Sequence, residues 1–482
     1  MGSRAPAPRW AGPVLRVGRR MSDAEALLWA GERDPVLRAA TLNVTLCDRP
    51  LDIVAFRRRL ALVVEAFPRL RQRVAAGPVG PPWWEDDHDF DLGHHVRHVA
   101  LTAPGSDRQL LDLAADLLED ASDHTRPLWT FLVVEGLAGG RGALITKLHH
   151  AVIDGAGSVR MSAMYSDDAP EQDHPSLPPP GTDETGPTSR LAAVAELWGR
   201  QVEAAGATAE VVRHAVRSPL TAARAVAALV ELDPCRSPLW RRRGVRRQLE
   251  ALSFDRNEVE AAAAGLGGTV DELLVTALCD AAGAYHRARC VDVGDLRIAV
   301  PGSTRPDRTA RASTQLPARL LVPCGELAPE ERFALVSQRL RETHDAAAPG
   351  LVDATASVLA SLPPPLVARV ARQQTSSVDF AASTLPGLAS DRWLAGARVL
   401  HSHPMGPTGG TAFLATVLSS AGTLDLGLCC DRGAVLDPAE LAGRIAAGFA
   451  ALGCPPRPVG KIAPGNGVTP MIADATRRRR SQ

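Results

Sequence analysis

The stretch 167–189, DDAPEQDHPSLPPPGTDETGPTS, crowds prolines, acids and small polar residues together, and helix-like and strand-like patterning alternates on both sides of it. Such a segment has little to bury, so it reads as a linker or crossover between two folded halves. The 482 residues are also too many for one ordinary core and suit two domains of similar size. A site between the halves is the natural expectation. The expected division is an N-terminal arm over 1–20, a first domain over 21–166, linker and crossover helices over 167–245, a second domain over 246–456 and a tail over 457–482. The alternation predicts an α/β (α+β) layer fold.

In the first half, DIVAFRRRLALVVEAFPRLRQRV places Val54, Leu60, Val63, Val64 and Phe67 near a 3.6-residue spacing, which predicts an amphipathic helix. MSDAEALLWA opens with Ser22 and Glu25 at capping-box spacing. GALITKLHHAVIDG predicts a short buried strand through Leu144, Ile145 and Leu148. Two Ala-rich helical stretches follow the linker. The second half offers the helix TVDELLVTALCDAAGAYHR, strands within DLRIAVPGSTR, VDFAASTLPGL, GARVLHSHPMG and TAFLATVLSSAGTLDLGLCCD, and a last helix DPAELAGRIAAGFAALG. The halves match in element order but not in sequence.

Composition excludes several classes. Net charge is zero, and Lys147 and Lys461 are the only lysines. Nucleic-acid binding is not suggested, because affinity for a phosphate backbone needs a clustered positive excess. No uninterrupted apolar stretch is long enough to cross a bilayer. The eight cysteines contain no CxxC pair, which predicts a reduced, cytoplasmic protein without a zinc frame or disulfide scaffold. Residues 1–20 are basic and acid-free but lack a secretory signal's apolar segment, so they read as a disordered arm or as an extension ahead of Met21. The terminal ATRRRRSQ reads as a solvated tail; its four arginines also suit anionic lipid, so contact with the inner face of a membrane or with a lipid droplet should be peripheral.

The chemistry concentrates in KLHHAVIDGAGS, residues 147–158. A neutral imidazole can take a proton from a hydroxyl or thiol when neighbours fix its orientation and tautomer. His150 is the candidate base. The Asp154 carboxylate can fold back to the loop backbone or meet an arginine, and Gly155, Ala156 and Gly157 leave room for close approach. Two other readings stay open: a metal half-site, disfavoured because neighbouring strand residues point to opposite faces and no HExxH accompanies them, and a hydrogen-bonded turn with no chemistry. No GxSxG serine is present. Pro127, Leu128 and Trp129 are better explained by packing, and His94, His95 and His98 in LGHHVRHVAL by a half-exposed strand.

HHAVIDG matches the HHxxxDG signature of the superfamily containing chloramphenicol acetyltransferase and peptide-synthetase condensation domains. From residue 21 to about 455, the chain more narrowly resembles the bacterial wax ester synthase/diacylglycerol acyltransferase family, through MSDAEALLWA, DFDLGHHVRHVAL, RPLWTFLVVEGLAGGRGALITKLHHAVIDGAGSVRM, IAVPGSTR and STLPG. The resemblance implies two chloramphenicol-acetyltransferase-like domains with a tunnel between them, which acyl-CoA and acceptor enter from opposite sides. It makes His150 the general base and His149 and Asp154 its structural partners. Arg305 matches a second-domain arginine and is expected to pair with Asp154.

The chain departs from the family pattern in the second half. Asp271 and Glu272 stand where Asn-Asp is usual, a Gly-Asn is not recognisable after PGSTR, and Ser-Asn-Val-Pro-Gly becomes Ser383, Thr384, Leu385, Pro386 and Gly387. These changes bear on which acceptor is held. The expected activity is acyl transfer from a fatty acyl-CoA to an alcohol or diacylglycerol hydroxyl, with coenzyme A as substrate and no bound cofactor or metal. Amides of the Gly155–Ser158 turn and the Ser383 hydroxyl are the candidate oxyanion donors, and Gly157, Ser158, Ser383, Pro386 and Gly387 are the candidate substrate-binding residues. The rivals are a superfamily acyltransferase with another acceptor or a carrier-protein donor, which needs a basic docking patch, and a non-catalytic lipid-binding descendant.

Overall fold

The computed structural model describes residues 19–75, 82–170, 234–300, 318–346 and 364–457. The first half runs α1 (Asp23–Gly31), β1 (Ala40–Cys47), α2 (Ile53–Ala66), β2 (Gln72–Ala75), β3 (Trp83–Asp86), α3 (Leu92–His95), β4 (Val96–Ala100), α4 (Asp107–Glu119), β5 (Trp129–Glu135), β6 (Gly142–His149) and α5 (Gly155–Tyr165). The second runs β7 (Arg247–Asp255), α6 (Arg256–Gly265), α7 (Val270–Arg287), β8 (Asp295–Val300), β9 (Ala318–Pro323), α8 (Pro329–Ala346), α9 (Pro364–Ser376) and β10 (Phe380–Pro386). It continues through β11 (Trp393–Leu394), β12 (Ala397–Met405), β13 (Phe413–Ser419), β14 (Thr423–Asp431) and α10 (Pro438–Ala451).

Local signals account for the element ends. Ser22 and Glu25 close the predicted capping box on α1, and Thr269 and Glu272 close another on α7, where the Glu272 carboxylate accepts the Thr269 N–H at 2.6 Å. A carboxylate therefore suits that helix start. In α2 the buried face is Phe56, Leu60, Val63 and Val64, whereas Val54, expected inside, is 54% exposed in the first turn. LGHHVRHVAL is not strand throughout: Asp91 caps the one-turn α3, and the strand begins only at Val96.

Two six-stranded sheets organise the chain, in orders β11-β12-β1-β6-β5-β4 and β7-β14-β13-β10-β8-β9. Strand β6 is buried along its whole length because both faces are covered. Ala143 and Ile145 join the core under α4, while Leu144 and Leu148 join the core under α2 and α5, as a period of two requires. Lys147 shares the α4 side, and its ammonium donates to the Leu117 and Asp120 carbonyls at 2.7 and 2.6 Å, capping that helix's negative end.

Four observations bear on the expected bounds between arm, domains, crossover and tail. Strands β11 and β12 belong by sequence to the second half but pair into the first sheet, β12 lying antiparallel to β1 with Leu42 opposite Met405 and Leu46 opposite His401. The edge of β1 would otherwise be open, and backbone pairing fills it. Trp240, expected in the crossover, is fully buried in the second core. Arg20 bridges Trp83, so the arm is tied down before Met21. Arg457, expected in the tail, bridges Ser253 and pairs with Asp255. The Ala-rich stretches, PGSTR and the terminal RRRR lie outside the described residues.

Candidate active site

Strand β6 ends on the two histidines, and the alternation of its side chains sends them different ways. His149 is fully buried. Its Nε2–H donates to Glu32 Oε1 at 3.0 Å, and its Nδ1 accepts the Ala151 N–H at 3.0 Å, which sets the tautomer. The same Glu32 oxygen accepts the Ala39 N–H at 2.9 Å, and the Ala39 carbonyl accepts the His150 N–H at 2.9 Å. Glu32 is therefore the post to which the histidine turn is tied. Burial alone raises a carboxyl's pKa, but the hydrogen bond from His149, with that from the Ala39 amide, holds Glu32 below the usual carboxylate range.

His150 is half-buried and faces a cavity of about 750 Å³. Its pKa is pushed down to about 4, first by desolvation and then by His149, with Asp154 acting the other way. At neutral pH the ring is neutral, with a lone pair to offer. Asp154 takes the inward course: it caps α5, accepting the Gly157 N–H at 2.5 Å, while its carbonyl accepts the Ser158 N–H and hydroxyl at 2.8 and 3.0 Å. A Cβ at Gly157 would stand 2.5 Å from Ile153 Cγ1, and one at Gly155 would stand 3.0 Å from Leu385 Cδ2 of β10. Both glycines let neighbouring groups close in, and Gly155 does so at the seam between the halves.

The cavity is walled by both halves, with Thr146, His150, Ser158 and Tyr165 on one side and Ser383, Leu385 and Gly387 on the other. It carries His150, Gly155, Ser158, Ser383 and Gly387 together; His149, Asp154, Gly157 and Pro386 stand behind the wall. Arg305 lies outside the described residues, so its pairing with Asp154 is not part of this geometry. Of the expected oxyanion donors, the Gly157 and Ser158 amides are already engaged by Asp154. Outside the site, His95 is buried, its Nδ1 donating to the Trp129 carbonyl at 2.8 Å with its ring stacked on Trp129, and His98 meets Glu135 at 3.2 Å. Leu128 and Trp129 are packed core, with the Trp129 indole N–H on the Leu70 carbonyl at 2.6 Å.

Two features escaped the sequence reading. Glu32 lies 117 residues from His149, and nothing local marks it. Thr41, Asn43 and Thr45 alternate along β1 and line the cavity, with Asn43 Nδ2 bonded to Thr45 Oγ1 at 2.9 Å and to Ser402 Oγ at 3.0 Å. Their polar alternation was visible, but such a stripe ordinarily faces solvent.

Residues 21–274 match the family described as the wax ester synthase/diacylglycerol acyltransferase catalytic domain, and residues 318–453 match the WS/DGAT C-terminal domain. A Mycobacterium tuberculosis (strain H37Rv) protein provisionally named a diacylglycerol O-acyltransferase is 29% identical over 456 residues, covering 91% of this chain and 92% of that one. A second from the same strain, provisionally named diacylglycerol O-acyltransferase tgs1, is 29% identical over 412 residues, covering 81% and 86%. In fold, the chain is similar to the wax ester synthase/diacylglycerol acyltransferase from Marinobacter aquaeolei VT8, with a TM-score of 0.63 at 20% identity over 90% of this chain and 98% of that one. The first condensation domain of the calcium-dependent antibiotic synthetase shares the fold at a TM-score of 0.54 and 16% identity, covering 93% and 99%.

Proposed function

The chain belongs to the wax ester synthase/diacylglycerol acyltransferase family and is an acyl-CoA-dependent O-acyltransferase, and from that premise we propose that His150 is the base that activates the acceptor hydroxyl. The observation that carries this is a neutral imidazole on the wall of a cavity shared by both halves, presented by a turn that Glu32 and His149 hold in place. His150 takes the hydroxyl proton as the oxygen attacks the thioester carbonyl. The tetrahedral oxyanion collapses, the C–S bond breaks, and the imidazolium returns its proton to the departing thiolate. Ester and free coenzyme A result, with no acyl-enzyme.

Low proton affinity in the resting ring favours the neutral base, and the nearby Asp154 charge offsets part of the cost of the transient imidazolium. Ser383 is our candidate donor to the oxyanion, since it lines the same cavity from the opposite half. The acyl chain lies along Leu148, Met161, Leu385 and Leu414, and the hydroxyl acceptor is a fatty alcohol or a diacylglycerol. No single described helix is long and apolar enough to cross a membrane.

The test supplies purified protein with labelled palmitoyl-CoA and either a fatty alcohol or diacylglycerol. His150→Ala is expected to lower kcat by roughly 10²–10⁴-fold, the usual worth of a positioned base, while His94→Ala stays at the wild-type rate. Turnover indifferent to His150 rejects the mechanism.

A further inference from the structure

Strands β12 and β14 meet where the two sheets join, and there they bring together three chemistry-bearing side chains that lie apart in sequence. His401, His403 and Asp425 are all buried, and one potential ligand atom from each lies within 4.8 Å of the others. The histidines are two apart on β12, so they share a face. Asp425 accepts from His401 Nδ1 at 3.0 Å, from the Ser253 hydroxyl at 2.7 Å and from the Ser402 N–H at 2.8 Å. The His403 ring, fully enclosed, has the Leu426 backbone as its one hydrogen-bonding neighbour, and neither nitrogen makes a hydrogen bond of full geometry. Buried polar groups are nearly always paired, and the Leu426 backbone can serve only one of the two ring nitrogens, which leaves the other for a further partner.

We propose that His401, His403 and Asp425 bind a zinc ion. Two imidazoles and a carboxylate are borderline-soft donors of the kind zinc takes. Donors about 2.0–2.2 Å from a tetrahedral ion stand roughly 3.3–3.6 Å from one another, which this cluster reaches by shifts of about an ångström. His401 and Asp425 also line the cavity, so the fourth position is reachable by water or by an oxygen or sulfur of a cavity ligand. His401 pairs with Leu46 on β1, whereas the His150 amide meets Ala39 at the other end of that strand, so the ion sits roughly 20 Å from the proposed base. It takes no part in the proton transfer. Its effect is to clamp β12 of the first sheet to β14 of the second. The absence of metal expected from the sequence rested on ligand spacing, and this set forms only when the two strands meet.

The full chain is stripped with a chelator, dialysed and titrated with zinc against a chromophoric indicator, alongside elemental analysis and thermal melts. One zinc per chain is expected, with a Kd on the order of 1 µM or tighter, and a midpoint temperature that rises with zinc. His403→Phe and Asp425→Asn should each weaken binding on the order of 100-fold or more and abolish the zinc-dependent rise. The surface variant His94→Ala/His98→Ala should bind as wild type. If the Phe variant does not fold, Asp425→Asn, which keeps shape and an acceptor oxygen, decides alone. The proposal is overturned if the wild type binds zinc no tighter than about 10 µM, if Asp425→Asn binds it undiminished, or if the surface variant loses it. Because the readout is metal binding, these outcomes leave the His150 mechanism untouched.

Discussion

Replacing Glu32 by alanine removes the one oxygen that receives both the His149 Nε2–H at 3.0 Å and the Ala39 N–H at 2.9 Å. Glu32 is 6% exposed and His149 fully buried, so water does not readily replace the lost acceptor. Two unsatisfied buried donors at ~1–3 kcal/mol each give a loss of about 4 kcal/mol, within the range for breaking a buried charged pair. Glu32→Gln keeps an acceptor oxygen in the same place and forfeits only the charge, so its loss is held to about 1 kcal/mol. The consequence for activity runs through Ala39, whose carbonyl holds the His150 amide. A turn released there misplaces the imidazole, and kcat is expected to fall about 10–100-fold in the alanine variant and far less in the glutamine variant. Urea unfolding followed by tryptophan fluorescence, compared at constant m-value, measures the first effect, and initial rates with palmitoyl-CoA measure the second. Equal behaviour of the two variants, or an alanine variant within about 0.5 kcal/mol of wild type, refutes the idea that this carboxylate anchors the turn.

The acid limb of kcat/KM should lie near pH 4, because the reactive form is the neutral ring and His150 is protonated only as the pH falls through about 4; a limb between pH 6 and 7 with folded protein contradicts the desolvation argument. The same shift predicts that stability declines as the pH drops from the ordinary imidazole range toward 4, since the unfolded chain binds that proton first, and melts between pH 7 and 4 register the slope. At the seam, a Cβ on Gly427 would overlap the Pro404 carbonyl oxygen of β12, so Gly427→Ala should cost about 3 kcal/mol or more. Gly443 in α10 faces open space, and Gly443→Ala should stabilise by ~0.5–1 kcal/mol in the same denaturation assay.

What could be read without coordinates was whatever repeats or sits close along the chain. The α1 capping box, the burial of β6, the opposite facings of His149 and His150, and the Asp-Gly turn all follow from a period of 2 and from side chains reaching a few residues along their own backbone. The candidate base was legible for that reason: strand, histidines, capping aspartate and glycines lie within one short run. Asp154 meets its own loop at the Gly157 N–H, while Arg305, the expected partner in the second half, lies outside the described residues.

Tertiary structure alone decided the entry of β12 into the first sheet, the role of Glu32, and the meeting of His401, His403 and Asp425. Each depends on an edge or donor finding its partner more than twenty residues away, and side-chain period carries no record of which distant edge that is. The sequence by itself settled which faces must be covered, because burial is written into local pattern. What covers them, and so where the cavity opens and which polar groups end up inside, was settled only when the two sheets closed against each other.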